Sequence, residues 1–199
     1  MNFIHPRQLT LGLSGCMLCG KSTALAAFKT CGALTLSCDE LAREISARPA
    51  VQKQIERLFG ASDKKAVAAR VFSDDKARKA LEELLHPLIE AELARRLEAD
   101  KSPIRVVETP LLFEAGWEKR FDLTLCVAAP QRTLAQRAKM RGVERKDFLR
   151  RSKAQWDQKT KALRADICVL NGGSTAQLEG KIKKLYQALI HIYQAKQES

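Results

Sequence analysis

The sequence lacks the features that mark membrane-spanning and secreted proteins. No uninterrupted apolar run approaches the roughly 18 residues that a membrane-spanning helix needs. The stretch from Met1 to Gln8 does not show the basic-then-apolar order of a secretory signal. Internal repeats, low-complexity tracts and flexible linkers are absent as well. We therefore expect a soluble, cytoplasmic protein that does not bind a membrane.

Cysteine is present, but not in a metal-binding pattern. Cys16 and Cys19 have CxxC spacing, yet the other cysteines form no second pair and the three histidines are scattered. A structural zinc ion needs four ligands at close spacing, so the pattern argues against zinc. Cys126 and Cys168 lie in apolar runs, where a thiol serves as a small hydrophobic side chain. Structural disulfides are not expected in the cytoplasm, while a reversible oxidation of Cys16 and Cys19 stays open.

Length and charge limit the possible functions. The chain has 199 residues, of which 45% are hydrophobic and 29% charged, as in an ordinary globular protein of one domain or one domain with an insertion. Lysine and arginine number 35 against 23 acidic residues, a net charge of +12, so we expect an anionic partner. Residues 131–164 alone hold twelve cations against three acids, a local excess of nine. This basic segment is either a solvated helical face, a phosphate clamp or a nucleic-acid-binding patch.

Short apolar runs alternate with longer helical segments, which is typical of a parallel sheet covered by helices. We predict strands at residues 9–13, 33–36, 104–108, 123–128 and 167–170, and helices at 22–29 and 174–194. Residues 40–100 show no strand pattern and are expected to form a helical insertion. Its segment 74–100 is rich in strong helix formers, and Pro87 is expected to kink or restart that helix.

One loop carries the clearest chemical signal. Residues 15–22 read Gly-Cys-Met-Leu-Cys-Gly-Lys-Ser and fit GxxxxGK[ST], between a predicted strand and a predicted helix as this P-loop motif requires. Gly15 and Gly20 let the backbone curl around an anion, so that its amide groups point at phosphate. Lys21 then reaches the β- and γ-phosphates, and the Ser22 hydroxyl is a magnesium ligand. The sequence therefore predicts binding of a nucleoside triphosphate.

The basic segment fits the same chemistry. Arg137 and Arg141 are four residues apart, so they share one face of a predicted helix and both could contact the triphosphate. A lid that closes on the nucleotide would supply these cations and exclude water, which matters because hydrolysis competes with transfer. We therefore expect residues 132–164 to form a basic helical lid.

Further motifs resemble those of the dephospho-coenzyme A kinase family over nearly the whole chain. They stand in order: Leu-Gly-Leu-Ser-Gly at 11–15, Cys-Asp-Glu-Leu-Ala-Arg at 38–43, Arg-Val-Phe at 70–72, Leu-His-Pro-Leu-Ile at 85–89, Pro-Leu-Leu-Phe-Glu-Ala-Gly-Trp at 110–117 and Asn-Gly at 171–172. The resemblance implies ATP-dependent phosphorylation of the ribose 3′-hydroxyl of dephospho-coenzyme A, the last step of coenzyme A synthesis.

The resemblance also implies the fold and its divisions. The expected α/β fold is a three-layer P-loop kinase, with a five-stranded parallel sheet flanked by helices, a helical substrate-binding insertion and a basic helical lid. The whole chain, 1–199, is then one domain. Its core comprises residues 1–39, 101–131 and 165–199, the insertion that binds coenzyme A spans about 40–100, and the lid spans about 132–164.

The loop motif and the resemblance together give the expected site residues. The expected catalytic residues are Asp39 as the base, Lys21 and Arg141. Those expected to bind ATP are Gly15, Leu18, Cys19, Gly20, Lys21, Ser22, Thr23, Arg137, Arg141, Asn171 and Gly172. Those expected to bind the acceptor are Asp39, Arg43, His86, Leu112 and Glu114. Mg²⁺ is the expected cofactor beside ATP, held by Ser22, with Glu108 as a holder of a metal-bound water.

Structural interpretations of some of these residues stay open. Asp39 could be only the N-cap of a helix at 40–47, Arg43 could form a surface ion pair, and His86 could be a hydrogen-bonded residue that ends a helix. Leu111, Leu112 and Phe113 are expected to form groove wall and core.

The chain departs from the family pattern at several positions. The usual loop reads Gly-Gly-Ile-Gly-Ser-Gly-Lys, and here Cys16 and Leu18 stand in place of its second and third glycines. Ser37 replaces the first acid of the family's Asp-Ala-Asp, and Gly142 replaces the aspartate that follows the lid arginine. Lys21, Ser22 and Asp39 remain, so we expect an active enzyme.

Three other functions are considered. One is a nucleoside or nucleotide kinase of the same fold, and another is a catalytically inactive paralogue. A third is a nucleic-acid-stimulated ATPase, although the basic segment holds only Phe148 and Trp156 as stacking aromatics. The expected partners are therefore the small molecules ATP and dephospho-coenzyme A, with no nucleic acid. We expect a monomer or a weak homo-oligomer.

Overall fold

The computed structural model describes residues 2–60, 63–144 and 155–198. The strands are β1 (Leu9–Gly15), β2 (Leu34–Ser37), β3 (Ile104–Glu108), β4 (Leu123–Ala128) and β5 (Ile167–Leu170). The helices of the described ranges are α1 (Lys21–Thr30), α2 (Cys38–Ser46), α3 (Pro49–Phe59), α4 (Lys64–Ser73), α5 (Asp75–Ala99), α6 (Gln131–Met140), α7 (Gln158–Arg164) and α8 (Thr175–Glu198), with a 3₁₀ turn at Glu118–Arg120.

The five strands form one parallel sheet in the order β2-β3-β1-β4-β5. This confirms the predicted five-stranded parallel sheet. The order matters for the site because β1 lies at the centre, with Leu13 opposite Glu108 of β3 and Leu125 of β4. Ligands of open parallel sheets bind outside the carboxyl ends of the strands. The loop after β1 therefore opens at the middle of the binding edge.

Contacts divide the chain into two compact units, residues 1–37 with 100–199, and residues 38–99. The first unit contains the sheet, and its main core joins the central strands to α1 and α8. Leu11 and Leu13 of β1 are fully buried there, together with Phe28 of α1 and Ile182 of α8. This packing fixes the strand that carries the loop.

The second unit contains α2 to α5. α5 runs without a break from Asp75 to Ala99 with Pro87 inside it. Of the predicted kink or restart at Pro87, the restart is therefore wrong, and the kink stays a prediction. A proline inside a helix removes one backbone hydrogen bond and crowds the preceding turn. Here Pro87 is exposed, while Ile89, Leu93 and Leu97 farther along α5 are buried. Burial of this apolar face offsets the local cost, so the helix continues.

A buried carboxylate joins helices of the second unit. Glu92 of α5 is 9% exposed, and its carboxylate contacts the guanidinium groups of Arg95 at 2.7 Å, Arg96 at 2.8 Å and Arg48 at 3.2 Å. Hydrogen bonds from Arg95, Arg96 and Arg48 hold the pKa of Glu92 well below its usual range. Arg48 precedes α3, so this cluster ties α3 to α5.

None of the described helices is both long enough and apolar enough to cross a membrane.

We predict that acid weakens this unit through Glu92. Its folded pKa lies below the roughly 4.3 of an unfolded glutamate, so the stabilisation is present above that pH and is lost as the pH falls through the folded pKa. Glu92→Gln should lower the free energy of unfolding at neutral pH by about 1–2 kcal/mol, since the arginines are partly solvated. Urea unfolding across acidic and neutral pH would measure this.

Glu98→Gln, an exposed site on the same helix, is the matched control and should change the unfolding free energy by less than about 0.5 kcal/mol. If the difference in unfolding free energy between the wild type and Glu92→Gln stays constant as the pH falls, the ionised carboxylate of Glu92 is not the source of the stabilisation.

Candidate active site

The loop after β1 has the backbone of an anion cradle. Gly15 and Gly20 have φ angles of 147° and 109°, and Leu18 has a φ of 64°. A Cβ on Gly15 would lie 2.3 Å from the carbonyl oxygen of Val127, and one on Gly20 would lie 2.3 Å from Nδ2 of Asn171. Both positions therefore require glycine for conformation and for space.

The carbonyl groups of this loop are held by surrounding donors. Lys21 Nζ donates to the oxygens of Gly15 at 3.0 Å and Cys16 at 3.1 Å. One Nη of Arg137 donates to the oxygens of Leu18 at 3.0 Å and Cys19 at 3.2 Å. These bonds fix the side of the loop on which each carbonyl points.

Asn171 reinforces the same arrangement from the end of β5. Its Nδ2 donates to the oxygen of Cys19 at 2.8 Å, and its own backbone amide donates to the oxygen of Ala128 at 2.6 Å. The side chain is buried, and it sits where the missing Cβ of Gly20 leaves room. Asn171 therefore holds the carbonyl group of Cys19 in place.

Several amide groups of the loop, unlike its carbonyl groups, have no hydrogen-bond partner among the described residues. Among the described residues, the amides of Met17, Leu18 and Gly20 have no hydrogen-bond acceptor, and those of Lys21 and Ser22 begin α1. The first amides of a helix have no intrahelical partner. A run of unpaired amides with left-handed residues between them forms a nest that binds an anion. This is the chemistry that the motif predicts.

Two of the unusual loop residues have clear structural consequences. Leu18 keeps the left-handed backbone that a glycine would adopt more easily, at a cost on the order of 1 kcal/mol. Its side chain is half-buried and packs on the main core. Cys19 is fully buried, whereas Leu18 also lines the cleft that opens beside the loop.

A cleft of about 620 Å³ opens beside the loop. Of the residues predicted to bind ATP, all but Gly15 and Cys19 line this cleft. Gly15 and Cys19 are buried instead. The sequence reasoning missed Thr133, Gln136 and Met140 of α6 and the segment 173–175, which also line it. Only their place on the helix of Arg137, or directly after the Asn-Gly turn, could have indicated them.

The two arginines predicted to contact the triphosphate differ in their surroundings. Arg137 is half-buried and bonded to loop carbonyls, with its other Nη 3.4 Å from the oxygens of Asn171 and Gly173. Arg141 caps the C-terminus of α6, lines the cleft and is exposed. Arg137 therefore braces the loop, whereas Arg141 has its charge available to a ligand.

Lys161 does not belong to a solvated basic face. Its side chain is fully buried, donates to the oxygen of Pro110 at 2.7 Å and lies 2.9 Å from Oε1 of Glu114. The same Glu114 oxygen accepts the backbone amide of Trp156 at 2.8 Å. Ser14, just before the loop, also donates to the oxygen of Pro110 at 3.1 Å. Glu114, expected to bind the acceptor, thus has protein partners that connect α7 to the loop region.

Gln158 is a functional candidate that the sequence analysis missed. It opens α7, and Asp157 caps that helix by accepting from two backbone amides. The Gln158 side chain accepts from the amide of Ala129 at 2.8 Å and donates to the oxygen of Ala129 at 2.9 Å. Its oxygen also accepts from Cys16 Sγ at 3.0 Å. No sequence pattern distinguishes this glutamine, because its role depends on where α7 packs.

Leu112 is not available to a ligand. It is fully buried, and its Cδ1 lies 2.4 Å from where a Cβ on Gly12 would be. Its prediction as an acceptor-binding residue is therefore corrected to a core position against β1. Phe113 is buried as well, while Leu111 is exposed.

The residues predicted around a magnesium ion lie at the carboxyl ends of the strands. Ser22 is exposed in the first turn of α1, and Thr23 beside it is half-buried. Glu108 ends β3 in register with Leu13 and is buried. Among the described residues, no group of three or more histidine, cysteine and acidic side chains is close enough to hold a metal ion by itself. An exposed serine hydroxyl suits an ion that is held mainly by phosphate oxygens.

The remaining acceptor-binding predictions fall in the second unit. Asp39 lies in the first turn of α2, which begins at Cys38, so its alternative as the N-cap of a helix at 40–47 is wrong. Arg43 Nε donates to the backbone oxygen of Asp39 at 3.2 Å. His86 is exposed inside α5 and does not end a helix. Both Asp39 and Arg43 are exposed.

An apolar groove of about 490 Å³ lies within this unit, between α2, α3, α4 and α5. Arg43 lines it together with Ile55, Val67, Val71 and Leu81. His86 is not among its lining residues, so the expected place of His86 in such a groove is not supported. Part of the predicted lid, residues 145–154, lies outside the described residues.

Comparison with known proteins identifies relatives of the chain. The family model for dephospho-CoA kinase matches residues 9–177. A dephospho-CoA kinase of Thermus thermophilus is 36% identical over 192 residues, 93% of each chain. The crystal structure of TT1252 from Thermus thermophilus is 36% identical, with a TM-score of 0.82 over 92% of this chain and 98% of that one. The dephospho-CoA kinase from Campylobacter jejuni, 24% identical over 89% and 95%, shares the fold at a TM-score of 0.66. The predicted P-loop kinase fold is confirmed.

We predict that Lys161 stabilises the site region only together with Glu114. Lys161→Met should lower the free energy of unfolding by about 3–5 kcal/mol, because it leaves the Glu114 carboxylate without its cation. The double variant with Glu114→Gln should recover part of that loss. A double-mutant cycle measured by urea unfolding would give the coupling energy.

Lys159→Met, exposed on the same helix, is the control and should cost less than about 0.5 kcal/mol. Strictly additive effects of the two site substitutions would show that the pair is not coupled.

Proposed function

The chain belongs to the dephospho-CoA kinase family, and on that premise we propose that it transfers the γ-phosphoryl group of ATP to the ribose 3′-hydroxyl of dephospho-coenzyme A. The observation that carries this proposal is the loop at 15–22, where donors of the protein bind carbonyl oxygens from Gly15 to Cys19. Among the described residues, the amides of Met17, Leu18 and Gly20 in this loop lack acceptors. A polyphosphate supplies the oxygens that these amides need.

The cleft beside the loop suits the rest of the nucleotide. It is bounded by α6 on one side and by residues 171–175 on the other, with Leu178 at its base. We assign the adenosine to this cleft, next to the Asn171-Gly172 turn. Arg141 is exposed at its edge, and its charge would act on the phosphate chain.

Ser22 would hold the magnesium ion, together with the phosphate oxygens of ATP. When bound, Mg²⁺ neutralises charge on the phosphates. Lys21 begins α1, and its ammonium group lies at the mouth of the loop on the oxygens of Gly15 and Cys16. We propose that it stabilises the negative charge of the transferring phosphoryl group.

Asp39 is the proposed general base. It follows the carboxyl end of β2 by two residues, and the edge formed by these strand ends is where parallel sheets bind ligands. Its carboxylate is exposed and therefore able to accept the proton of a sugar hydroxyl as the bond to phosphorus forms. The adjacent Glu40 is also exposed. Separate substitution of Asp39 and of Glu40 distinguishes which of the two acids accepts the proton.

The groove of the second unit is the proposed place for the pantetheine arm. That arm is a long, mostly uncharged chain, and the groove is lined mainly by apolar side chains. Arg43 on the same groove could pair with the diphosphate of the acceptor. Residues of this groove, and not the fully buried Leu112, are therefore proposed to contact the acceptor.

Gln158 and Lys161 are the proposed positioning residues. They lie three apart on α7, so they share one face, and they bind Ala129, Cys16, Pro110 and Glu114. Neither needs to touch a substrate. Both fix backbone that borders the phosphate loop.

We also propose a cytoplasmic protein, either a monomer or a weak homo-oligomer, that acts on small molecules. Every cysteine lies in the described ranges and none forms a disulfide, which suits a reducing compartment.

We predict that ADP release depends on dephospho-coenzyme A and on magnesium. In a coupled ADP-release assay, kcat/KM with dephospho-coenzyme A should exceed that with AMP, CMP or shikimate by at least about 100-fold, because only dephospho-coenzyme A carries the pantetheine arm that the apolar groove would bind. Omitting magnesium should abolish turnover.

A preference for AMP, CMP or shikimate would refute the proposed acceptor. Stimulation of ATP hydrolysis by added DNA or RNA, without acceptor phosphorylation, would favour the ATPase alternative.

We predict that Asp39→Asn lowers kcat by about 10²- to 10⁴-fold, since the amide cannot accept the proton. ATP affinity should stay within about twofold, because Asp39 is not among the residues that line the cleft beside the loop. Steady-state kinetics together with calorimetric ATP binding would separate the two effects.

Glu40→Gln is the matched control, an exposed neighbour in the same helical turn that should keep kcat within about twofold. Wild-type turnover by Asp39→Asn would remove Asp39 from the mechanism.

A further inference from the structure

Two thiols lie at opposite ends of one tight turn within the phosphate loop. The amide of Cys19 donates to the oxygen of Cys16 at 3.4 Å, which closes a four-residue turn. Leu18, the third residue of that turn, has the positive φ expected there. A turn of this kind brings its first and fourth Cα atoms within about 7 Å, and disulfides join Cα atoms about 4.4–6.8 Å apart.

The two sulfur atoms are unequal. Cys19 is fully buried. Cys16 is only half-buried, and its Sγ lies 3.0 Å from Oε1 of Gln158. An oxidant arriving from solvent therefore meets Cys16 first, with Cys19 directly behind it.

The pKa values of the two thiols are shifted in opposite directions. The hydrogen bond from Cys19 and the positive charge of Lys21 lower the pKa of the Cys16 thiol, while the same hydrogen bond and burial raise that of Cys19 well above its usual value. Elsewhere, burial raises the pKa of Cys126 to about 12 and also raises that of Cys168. Thiolates are the nucleophiles in thiol oxidation.

We propose that Cys16 and Cys19 form a reversible oxidation site for hydroperoxides, and that the resulting disulfide closes the phosphate loop to ATP. The consequence for ATP rests on the proposed function, whereas the formation of the disulfide does not.

The chemistry requires only the peroxide as oxidant. The Cys16 thiolate attacks one peroxide oxygen, the O–O bond breaks, and the departing hydroxide takes up a proton to leave as water, giving a sulfenic acid. The Cys19 sulfur then attacks the Cys16 sulfur, the S–O bond breaks, and the hydroxyl leaves as a second water with the Cys19 proton. Two electrons pass from the thiols to the peroxide.

The disulfide changes the contacts of the loop. The Sγ of Cys16 donates to Oε1 of Gln158 at 3.0 Å, and a sulfur atom in a disulfide has no proton to donate. The two sulfur atoms must also lie about 2.05 Å apart. Oxidation therefore removes the hydrogen bond from Cys16 to Gln158 and joins residues 16 and 19, and we expect it to turn the amides of Met17 and Leu18 between them away from the anion.

The coupling must work in both directions. If the disulfide weakens ATP binding, bound ATP must oppose disulfide formation by the same factor. We expect the dissociation constant for ATP to rise by about tenfold on oxidation, within the range of coupled sites. Bound ATP should slow loss of the thiols to a similar extent.

The test uses the whole protein, hydrogen peroxide and tryptic mass spectrometry. Trypsin releases residues 8–21 as one peptide that contains Cys16 and Cys19 and no other cysteine. The expected result is loss of two hydrogen atoms from that peptide, reversal by dithiothreitol and protection by ATP with magnesium. ATP binding measured before and after oxidation gives the coupling.

Substitutions distinguish oxidation of Cys16 and Cys19 from oxidation of the other cysteines. Cys16→Ser and Cys19→Ala should each prevent the mass change and the peroxide-dependent loss of ATP affinity. Cys168→Ser, on the exposed face of β5, is the control and should behave as wild type. Cys168 is in register with Cys126 on the neighbouring strand, so a cross-link of peptides 121–132 and 165–181 is the competing product.

Three results would overturn the inference: that competing cross-link alone, oxidation of Cys16 without a disulfide, or a disulfide that leaves ATP affinity unchanged. The reduced protein is measured in parallel. Failure of the reduced protein to bind ATP would instead count against the proposed function, while the mass change in residues 8–21 would still test the disulfide.

Discussion

The site depends on one constraint, the hydrogen bonding of the loop carbonyls. A backbone that turns its amides toward an anion must point its carbonyl groups into the protein, where each needs a donor. Lys21, Arg137 and Asn171 supply those donors from three separate elements: α1, α6 and the end of β5. The cradle is therefore a property of the packed first unit, not of residues 15–22 alone. Gln158 and Lys161 extend the same support to Ala129 and Pro110.

The elements that sequence could predict are those with a local cause. All five predicted strands agree with the structure within about two residues at their ends, because a strand buried on both faces is a mostly apolar run such as residues 123–128. The loop was found because its glycines and Lys21 are fixed in spacing by the phosphates they bind. In both cases the physical requirement acts on residues that are close together in the chain, so the sequence alone shows the pattern.

The errors share the opposite cause. Leu112 and Lys161 are a leucine and a lysine that ordinary preferences place at a groove wall and on a surface, and packing buries both. Gln158 has no local signal because its partners, Cys16 and Ala129, are far away in sequence. Pro87 does not end α5, since tertiary burial of the helix outweighs the local cost. Long-range contacts determine each outcome, and a single sequence does not display them.

The unusual loop residues can be understood from the same constraint. Leu18 occupies a left-handed position that favours glycine, yet its carbonyl is bound by Arg137 and its side chain reaches the main core. The surrounding protein therefore holds the backbone in place and offsets the strain. Cys19 is fully buried. The loop can thus hold leucine in place of glycine at position 18, but it needs glycine at positions 15 and 20, where the backbone of Val127 and the side chain of Asn171 approach too closely.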